Sequence, residues 1–156
     1  MERAPGPPVR RQRIVVAVGL PGSGKTTYFR KLGVPALSSD LMRLLLADDI
    51  NDQTIHGPVF ATLRYLLRQR IRIGRPVTYI DATHLTPAER RPYLYIGERY
   101  GCDVEAIFFD VPVEICKQRN RRRRRIVPDE VIEAMARKLV PPTVEEGFSA
   151  VHVVRP

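Results

Sequence analysis

The residues whose types and spacing most clearly indicate chemistry lie between Gly19 and Thr27, in the segment Gly-Leu-Pro-Gly-Ser-Gly-Lys-Thr-Thr. This segment matches the phosphate-loop pattern G-x-x-x-x-G-K-[ST] in full, between an apolar run and a stretch that can be helical. Glycines allow several backbone N–H groups to point at one anion, and the N-terminus of the next helix adds partial positive charge. We predict that a nucleoside triphosphate binds here, at Gly22, Ser23, Gly24, Lys25, Thr26 and Thr27.

Two side chains of this loop have distinct expected roles. Lys25 should reach the β- and γ-phosphates, and the Thr26 hydroxyl should be a ligand of Mg²⁺. The alternative is a glycine-rich turn that matches the pattern by chance. The strand before the loop and the helix after it disfavour that alternative.

A second group with chemical potential is Ser-Ser-Asp-Leu-Met-Arg, in which Asp40 and Arg43 lie three residues apart, on one face of a predicted helix. It follows a candidate strand, and the carboxyl ends of parallel strands line the ligand crevice of open α/β sheets. A carboxylate there can accept a proton from an attacking hydroxyl, and an arginine beside it can hold a second anion on the acceptor. The alternative is an aspartate that only caps the helix, with a solvated arginine.

A third candidate is Asp81, in the segment Tyr-Ile-Asp-Ala-Thr-His at the end of another predicted strand. Asp81 could hold Mg²⁺ through water, as a Walker-B carboxylate does, or it could be an ordinary aspartate of a turn. We assign no functional role to His84, because a lone histidine is more often a local hydrogen-bonding residue.

The strongest charge feature is the arginine-rich segment 119–125, which we predict to be part of a helix that opens at Pro112. Arg119 and Arg123 are four residues apart and would share one helical face. That face could close on the triphosphate and stabilise charge on the transferring phosphoryl group. The other arginines would face solvent or a nucleic-acid backbone.

The overall charge indicates a polyanionic partner, because 26 Lys and Arg oppose 17 Asp and Glu, for a net charge of +9. A basic surface that serves only solubility is the alternative. No apolar run approaches the roughly 20 residues that a membrane span needs, and the start has no signal-peptide pattern. Cys102 and Cys116 are unpatterned, which favours reduced thiols and a cytoplasmic protein.

The elements that must position these groups alternate between strand and helix. We predict strands over 14–18, 36–39, 77–80, 104–109 and 150–154. We predict helices over 24–32, 41–47, 59–71, 86–100, from residue 112 through the arginines, and 129–139. This order predicts an α/β fold with a parallel sheet of about five strands, covered by helices on both faces. We divide the chain into a basic, proline-rich arm over 1–12, expected to be flexible, and one domain over 13–156.

Taken together and in order, these motifs resemble the P-loop 5′-polynucleotide kinases, which include kinase modules of phage and bacterial end-healing enzymes. The motifs are the phosphate loop, Ser-Asp-x-x-Arg, Asp-Ala-Thr-His-Leu-Thr-Pro, Phe-Asp-Val-Pro and Arg-Asn-x-x-Arg…Val-Pro. The resemblance extends from Ile14 to Val154. It implies a P-loop NTPase sheet with the loop strand at its centre and an arginine-rich helical lid.

The resemblance also implies roles for individual residues. Asp40 matches the general base for the 5′-hydroxyl, and Arg43 matches the arginine that grips the phosphate beside the acceptor nucleotide. Asp81 matches the acidic residue at the end of the third strand. Arg119 and Arg123 match nucleotide-binding lid arginines, with Arg123 nearest the transferring phosphate and part of the catalytic set with Lys25 and Asp40. His84 stands where an asparagine is common.

The resulting hypothesis is a polynucleotide 5′-hydroxyl kinase that uses Mg²⁺ and ATP or GTP, and that acts on 5′-OH ends of DNA or RNA in nucleic-acid repair. We expect a monomer or small homo-oligomer that works without a membrane and alongside a separate phosphatase or ligase. One alternative is a small-molecule P-loop kinase for a sugar, nucleoside or antibiotic hydroxyl. Another is a non-catalytic, NTP-gated RNA-binding protein.

Overall fold

The computed structural model describes residues 11–123 and 126–156. The first ten residues of the predicted arm therefore lie outside the described residues. Its last two residues make defined contacts: the Arg11 guanidinium donates to the carbonyl of Gly101, and the Gln12 amide donates to the carbonyls of Ile71 and Arg75. These contacts lead the chain directly into the first strand.

In the described part of the chain, five strands form one parallel sheet, in the order β2-β3-β1-β4-β5. They are β1 (Arg13–Val18), β2 (Ala36–Ser38), β3 (Val77–Asp81), β4 (Asp103–Phe109) and β5 (Ala150–Val154). The predicted α/β class is confirmed, with β1 in the central position. Because β1 is β-branched and apolar along most of its length, it suits a strand that is buried on both faces.

Within residues 11–123 and 126–156, six α-helices connect and flank the strands. They are α1 (Lys25–Leu32), α2 (Ser39–Ala47), α3 (His56–Arg72), α4 (Pro87–Tyr100), α5 (Val113–Asn120) and α6 (Asp129–Lys138). A short 3₁₀ helix at Val144–Glu146 was not predicted. The described residues contain no helix that is both long enough and apolar enough to cross a membrane.

Side chains of β1 alternate between two apolar layers, as the strand period of two requires. Ile14 and Val16 pack with α3 and α4, whereas Val15 and Ala17 pack with Phe29 of α1. A third cluster joins α5 and α6 to the phosphate loop through Leu20, Leu85, Val111, Cys116, Val127 and Ile132. This third cluster fixes the arginine-rich part of the chain over the carboxyl end of the sheet.

Two element boundaries differ from the sequence predictions. Helix α3 begins at His56, three residues before the predicted start at residue 59. Helix α5 ends at Asn120, and Arg121 to Arg123 form a turn, so the predicted continuation of the helix through the arginines is wrong over these residues. Arg124 and Arg125 lie outside the described residues. Helix α4 agrees with the predicted range 86–100 to within one residue, and Thr86 and Gly101 are its caps.

Candidate active site

A cleft of about 1310 Å³ opens at the carboxyl ends of the central strands. The phosphate loop forms its floor, α2 and the start of α3 form one wall, and the arginine turn faces them. All the predicted site residues except Ser23 line this cleft: Gly22, Gly24, Lys25, Thr26, Thr27, Asp40, Arg43, Asp81, Arg119 and Arg123. Ser23 is buried in the loop beside them.

The phosphate loop holds Lys25 against its own backbone. The Lys25 ammonium donates hydrogen bonds to the carbonyls of Gly19 at 2.9 Å and Leu20 at 2.8 Å. Burial lowers the pKa of Lys25 to about 8, while Asp81 opposes that change by stabilising the charged form. A polyphosphate in the cleft would supply the negative charge that a buried ammonium lacks.

The shape of the loop depends on glycine at two positions. Gly22 and Gly24 have φ of +82° and +100°, in the left-handed region that glycine adopts without steric penalty. A Cβ at Gly22 would also lie 2.3 Å from the carbonyl oxygen of Cys116 in α5. The loop therefore packs directly on α5, and this contact places Arg119 beside it: Arg119 Nη1 lies 3.4 Å from the carbonyl oxygen of Ser23.

The loop is also joined to β3. The Thr26 hydroxyl donates a hydrogen bond to Asp81 Oδ2 at 2.8 Å. Burial raises the pKa of Asp81, and Lys25 and the Thr26 hydrogen bond act in the opposite direction. A hydroxyl and a carboxylate at this separation are hard oxygen donors that fit Mg²⁺, which commonly uses one or two protein oxygens together with substrate phosphates and water.

On the wall of the cleft that α2 forms, Asp40 lies between two arginines. Its carboxylate is 3.9 Å from Arg43 Nη1, on the same helix, and 3.6 Å from Arg123 Nη2, on the arginine turn. Ser38, rather than Asp40, caps α2, because the Ser38 hydroxyl accepts a hydrogen bond from the Leu41 N–H. The interpretation of Asp40 as the helix cap is therefore wrong, and its carboxylate faces the cleft.

Arg119 and Arg123 both reach the cleft, although they do not share a helical face as predicted. Arg119 is in the last turn of α5, and Arg123 follows in the turn after it. Asn120 between them is fully buried; its side chain accepts from the Val127 N–H at 3.1 Å and donates to the Val127 carbonyl. Asn120 thus closes the arginine turn, a role that sequence reasoning missed although the Arg-Asn-x-x-Arg…Val-Pro motif contains it.

His84 lines the cleft, and both nitrogens of its ring make buried contacts with other elements. Its ring is buried, with Nδ1 2.7 Å from the Ala17 carbonyl oxygen and Nε2 2.9 Å from the Tyr93 hydroxyl. Burial lowers the pKa of His84 to about 4, so the ring is neutral at pH 7. A neutral imidazole donates from Nδ1 to the carbonyl and accepts from Tyr93, which ties β1 to α4.

The parallel sheet, its flanking helices and the phosphate loop after the central strand define a P-loop NTPase-type α/β domain. The chain belongs to the AAA_33 family, described as an AAA domain, whose profile matches residues 14–142. This match does not by itself establish the narrower assignment to the polynucleotide kinases.

Curated relatives of this chain include L-seryl-tRNA(Sec) kinases. The human protein is 27% identical over 113 residues, which cover 72% of this chain and 31% of the human one. The protein of Methanococcus maripaludis is 21% identical over 138 residues, which cover 83% of this chain and 53% of that one. The chain therefore spans between about a third and about half the length of these two relatives.

Several solved structures share the fold. A sugar kinase of Janibacter has a TM-score of 0.65 at 21% identity, over 92% of this chain and 85% of that one. A chain of the Pnkp1/Rnl/Hen1 complex has a TM-score of 0.58 at 20% identity, over 80% of this chain and 43% of that one. Kti12 of Chaetomium thermophilum, solved with ADP-AlF3, has a TM-score of 0.61 at 16% identity, over 91% of this chain and 88% of that one.

Proposed function

We propose that this chain is a polynucleotide 5′-hydroxyl kinase, which transfers the γ-phosphate of ATP or GTP to the 5′-OH end of DNA or RNA. The observation that carries the proposal is the position of Asp40, whose carboxylate lies between Arg43 and Arg123 at the mouth of the phosphate loop. A general base beside two cations suits a hydroxyl acceptor that itself carries phosphate.

On the donor side, the loop amides and Lys25 would hold the triphosphate, with Arg119 beside the loop. Thr26 and Asp81 would hold Mg²⁺, which supplies charge neutralisation on the β- and γ-phosphates when bound. Arg123 would stabilise the charge that develops on the transferring phosphoryl group. These roles follow from the positions of the residues around one cleft.

The proposed step is an in-line displacement. The 5′-hydroxyl oxygen forms a bond to the γ-phosphorus, while the bond from that phosphorus to the β,γ-bridging oxygen breaks. Asp40 accepts the hydroxyl proton, and the nucleoside diphosphate leaves with the electron pair of the broken bond. Arg43 would bind the phosphate on the 3′ side of the acceptor nucleoside and so orient the hydroxyl.

The names of the curated relatives support an RNA-linked acceptor. By those names, the relatives act on seryl-tRNA(Sec). A kinase that acts on a hydroxyl carried by tRNA is therefore the second candidate function. A sugar kinase also shares the fold. A small-molecule acceptor is nevertheless less favoured than a nucleic acid, because it leaves Arg43 and the net charge of +9 unexplained.

Label transfer from γ-³²P-labelled ATP or GTP tests these candidates in parallel. We expect label in a 5′-OH oligonucleotide and none in the same oligonucleotide with a 5′-phosphate, because the acceptor hydroxyl is then blocked. Label in seryl-tRNA alone would support the second candidate, and label in a free sugar would support a small-molecule kinase. Nucleotide and RNA binding without transfer to any acceptor would favour a non-catalytic protein.

Arg43→Ala tests the acceptor assignment within the site. We expect kcat/KM for a nucleoside 3′-phosphate to fall about 10–100-fold more than for the bare nucleoside, since a hydrogen bond to a charged group is worth about 1.5–3 kcal/mol. Arg91→Ala, which removes an exposed arginine of α4, is the matched control. Equal losses on both acceptors would remove Arg43 from the phosphate site.

A further inference from the structure

A second concave surface lies between α3 and α4, outside the reaction centre. It is a groove of about 250 Å³. Arginines and aromatic rings dominate its lining, which consists of Arg64, Arg68, Pro92, Tyr95, Ile96, Arg99 and Tyr100. The proposed phosphoryl-transfer step uses none of Arg68, Tyr95 and Arg99.

The groove is positively charged and carries exposed aromatic surface. Within the described part of the chain, Arg64, Arg68 and Arg99 form no ion pair with a carboxylate. Tyr95 is 62% exposed, so most of its ring is accessible to a partner. Arginines interleaved with exposed aromatic rings are the combination that binds single-stranded nucleic acid, through phosphates and stacked bases.

The groove is continuous with the acceptor side of the cleft. Arg64 and Pro92 line both cavities. Along α3, the residues His56, Phe60, Arg64 and Arg68 recur every four positions, so they form one ridge that is inclined to the helix axis. This row starts beside the acceptor site, because Arg43 Nη2 lies 3.4 Å from His56 Nδ1. It extends for about 18 Å at 1.5 Å per residue.

We propose that the α3–α4 groove binds the single-stranded continuation of the nucleic acid whose 5′ end occupies the reaction centre, an inference that rests on the proposed function. The 5′-hydroxyl lies at Asp40 and the first phosphate at Arg43. The chain then runs in the 3′ direction along α3, with later phosphates at Arg64, Arg68 and Arg99 and a base stacked on Tyr95.

The geometry favours a polymer over a small phosphorylated ligand. The arginines form an extended row that leads away from the catalytic carboxylate, so a ligand must be long to contact both ends. Phosphates repeat along a nucleic-acid strand, as the cations repeat along this surface. An acceptor of one nucleotide would occupy the cleft alone.

The test compares a double variant, Arg68→Gln/Arg99→Gln, with a control that removes two positive charges elsewhere, Lys31→Gln/Arg155→Gln. Lys31 lies on α1, and Arg155 follows β5. The acceptors are a nucleoside 3′-phosphate and 5′-OH oligonucleotides in matched DNA and RNA forms. Anisotropy of the same oligonucleotides, labelled at the 3′ end, gives binding without phosphoryl transfer. Thermal melting checks that both variants fold.

We expect the groove variant to lose about tenfold in its preference for the oligonucleotide over the nucleoside 3′-phosphate. The salt dependence of oligonucleotide binding should become shallower by about 1.4 in log–log slope, at about 0.7 for each phosphate that the variant no longer neutralises. Tyr95→Ala should weaken binding about tenfold because the base loses its stacking partner, with little change in salt slope. The control should retain the wild-type acceptor preference. The DNA and RNA arms decide which strand the groove prefers.

Two results separate the failure of this inference from failure of the proposed function. Unchanged preference, affinity and salt slope in Arg68→Gln/Arg99→Gln would overturn the groove assignment even if the protein phosphorylates 5′ ends. If the wild type transfers no phosphate to any oligonucleotide, the proposed function fails, and anisotropy decides the groove separately. Weaker oligonucleotide binding by Arg68→Gln/Arg99→Gln than by the control would then still support the groove assignment. Equal binding by the two variants would overturn that assignment.

Discussion

The Thr26 hydroxyl and the Asp81 carboxylate, 55 residues apart in the chain, are hydrogen bonded at 2.8 Å. This contact joins the start of α1 to the carboxyl end of β3, the neighbour of β1 in the sheet. It places a hydroxyl oxygen, a carboxylate and the Lys25 ammonium around one point of the cleft. Changes at this point should therefore alter metal and nucleotide binding together.

Asp81→Asn should separate nucleotide binding from its Mg²⁺ dependence. The amide oxygen can still accept the Thr26 hydrogen bond, so the loop should keep its shape, but the charge that favours a divalent cation is lost. We expect Mg²⁺ to strengthen nucleotide binding about 10–100-fold less than in the wild type, measured by calorimetric titration with and without Mg²⁺. Asp103→Asn, at the opposite end of the sheet, is the control; an unchanged Mg²⁺ effect would leave Asp81 as an ordinary turn residue.

Nucleotide affinity should depend on pH through Lys25. Because burial lowers its pKa to about 8, the free protein loses this charge as the pH rises through about 8, whereas an ordinary lysine stays charged to about 10.5. Bound polyphosphate favours the charged form, so affinity should be full below pH 8 and then fall by up to about tenfold per pH unit. Titrations of wild type and Lys25→Met between pH 7 and 10 check this, because the variant should bind more weakly and without that dependence.

Asp40→Asn should lower the rate of transfer without a matching loss of nucleotide affinity. Asparagine keeps the shape of the side chain, and Ser38 still caps α2. The amide, however, cannot take the proton from the acceptor hydroxyl. General-base assistance is typically worth about 10²–10⁴-fold, so kcat should fall within that range. Asp48→Asn removes the same charge from the other end of α2 and serves as the control. A nucleotide Kd that weakens as much as the rate falls would make Asp40 a ligand of the nucleotide or metal.

His84→Asn should change the acid stability of the fold. The native pKa of His84 is about 4 and the ordinary value is 6.5, so on acidification the unfolded state takes up a proton first. The free energy of unfolding has its full value above pH 6.5, and it should therefore fall by about 3 kcal/mol as the pH drops to about 4. Asparagine tolerates the φ of +46° at this position and does not titrate between pH 4 and 6.5. The free energy of unfolding of the variant should therefore lack this pH-dependent decrease.

Denaturant unfolding of wild type and His84→Asn at pH 7 and pH 4.5 gives the comparison. At pH 7 the variant should be less stable by about 1–3 kcal/mol, because the Tyr93 hydroxyl loses its buried acceptor. The difference in the free energy of unfolding between wild type and variant should be smaller at pH 4.5, because only the wild type loses stability on acidification. A constant difference at both pH values would show that His84 is not the group that titrates.

Local patterns in the sequence determined much of the fold. The strand–loop–helix around Lys25, the caps of α4 and the pairing of Asp40 with Arg43 on α2 depend on residues a few positions apart, so spacing alone predicts them. Helix α5 shows the limit of such patterns. Arginine is a good helix former, so the arginine-rich segment predicts a longer helix. The buried Asn120 side chain instead bonds to Val127 and ends the helix.

Tertiary structure alone decided how the separate motifs meet. The order of strands places β3 beside β1, and this order brings Asp81 to Thr26. Packing of α5 on the loop brings Arg123 to Asp40, and burial makes His84 a neutral link between β1 and α4. These contacts join residues far apart in the chain, and their free energies depend on burial and on neighbours from other elements. A local sequence pattern carries no information on burial or on neighbours from other elements, because the same segments could form with the strands in another order.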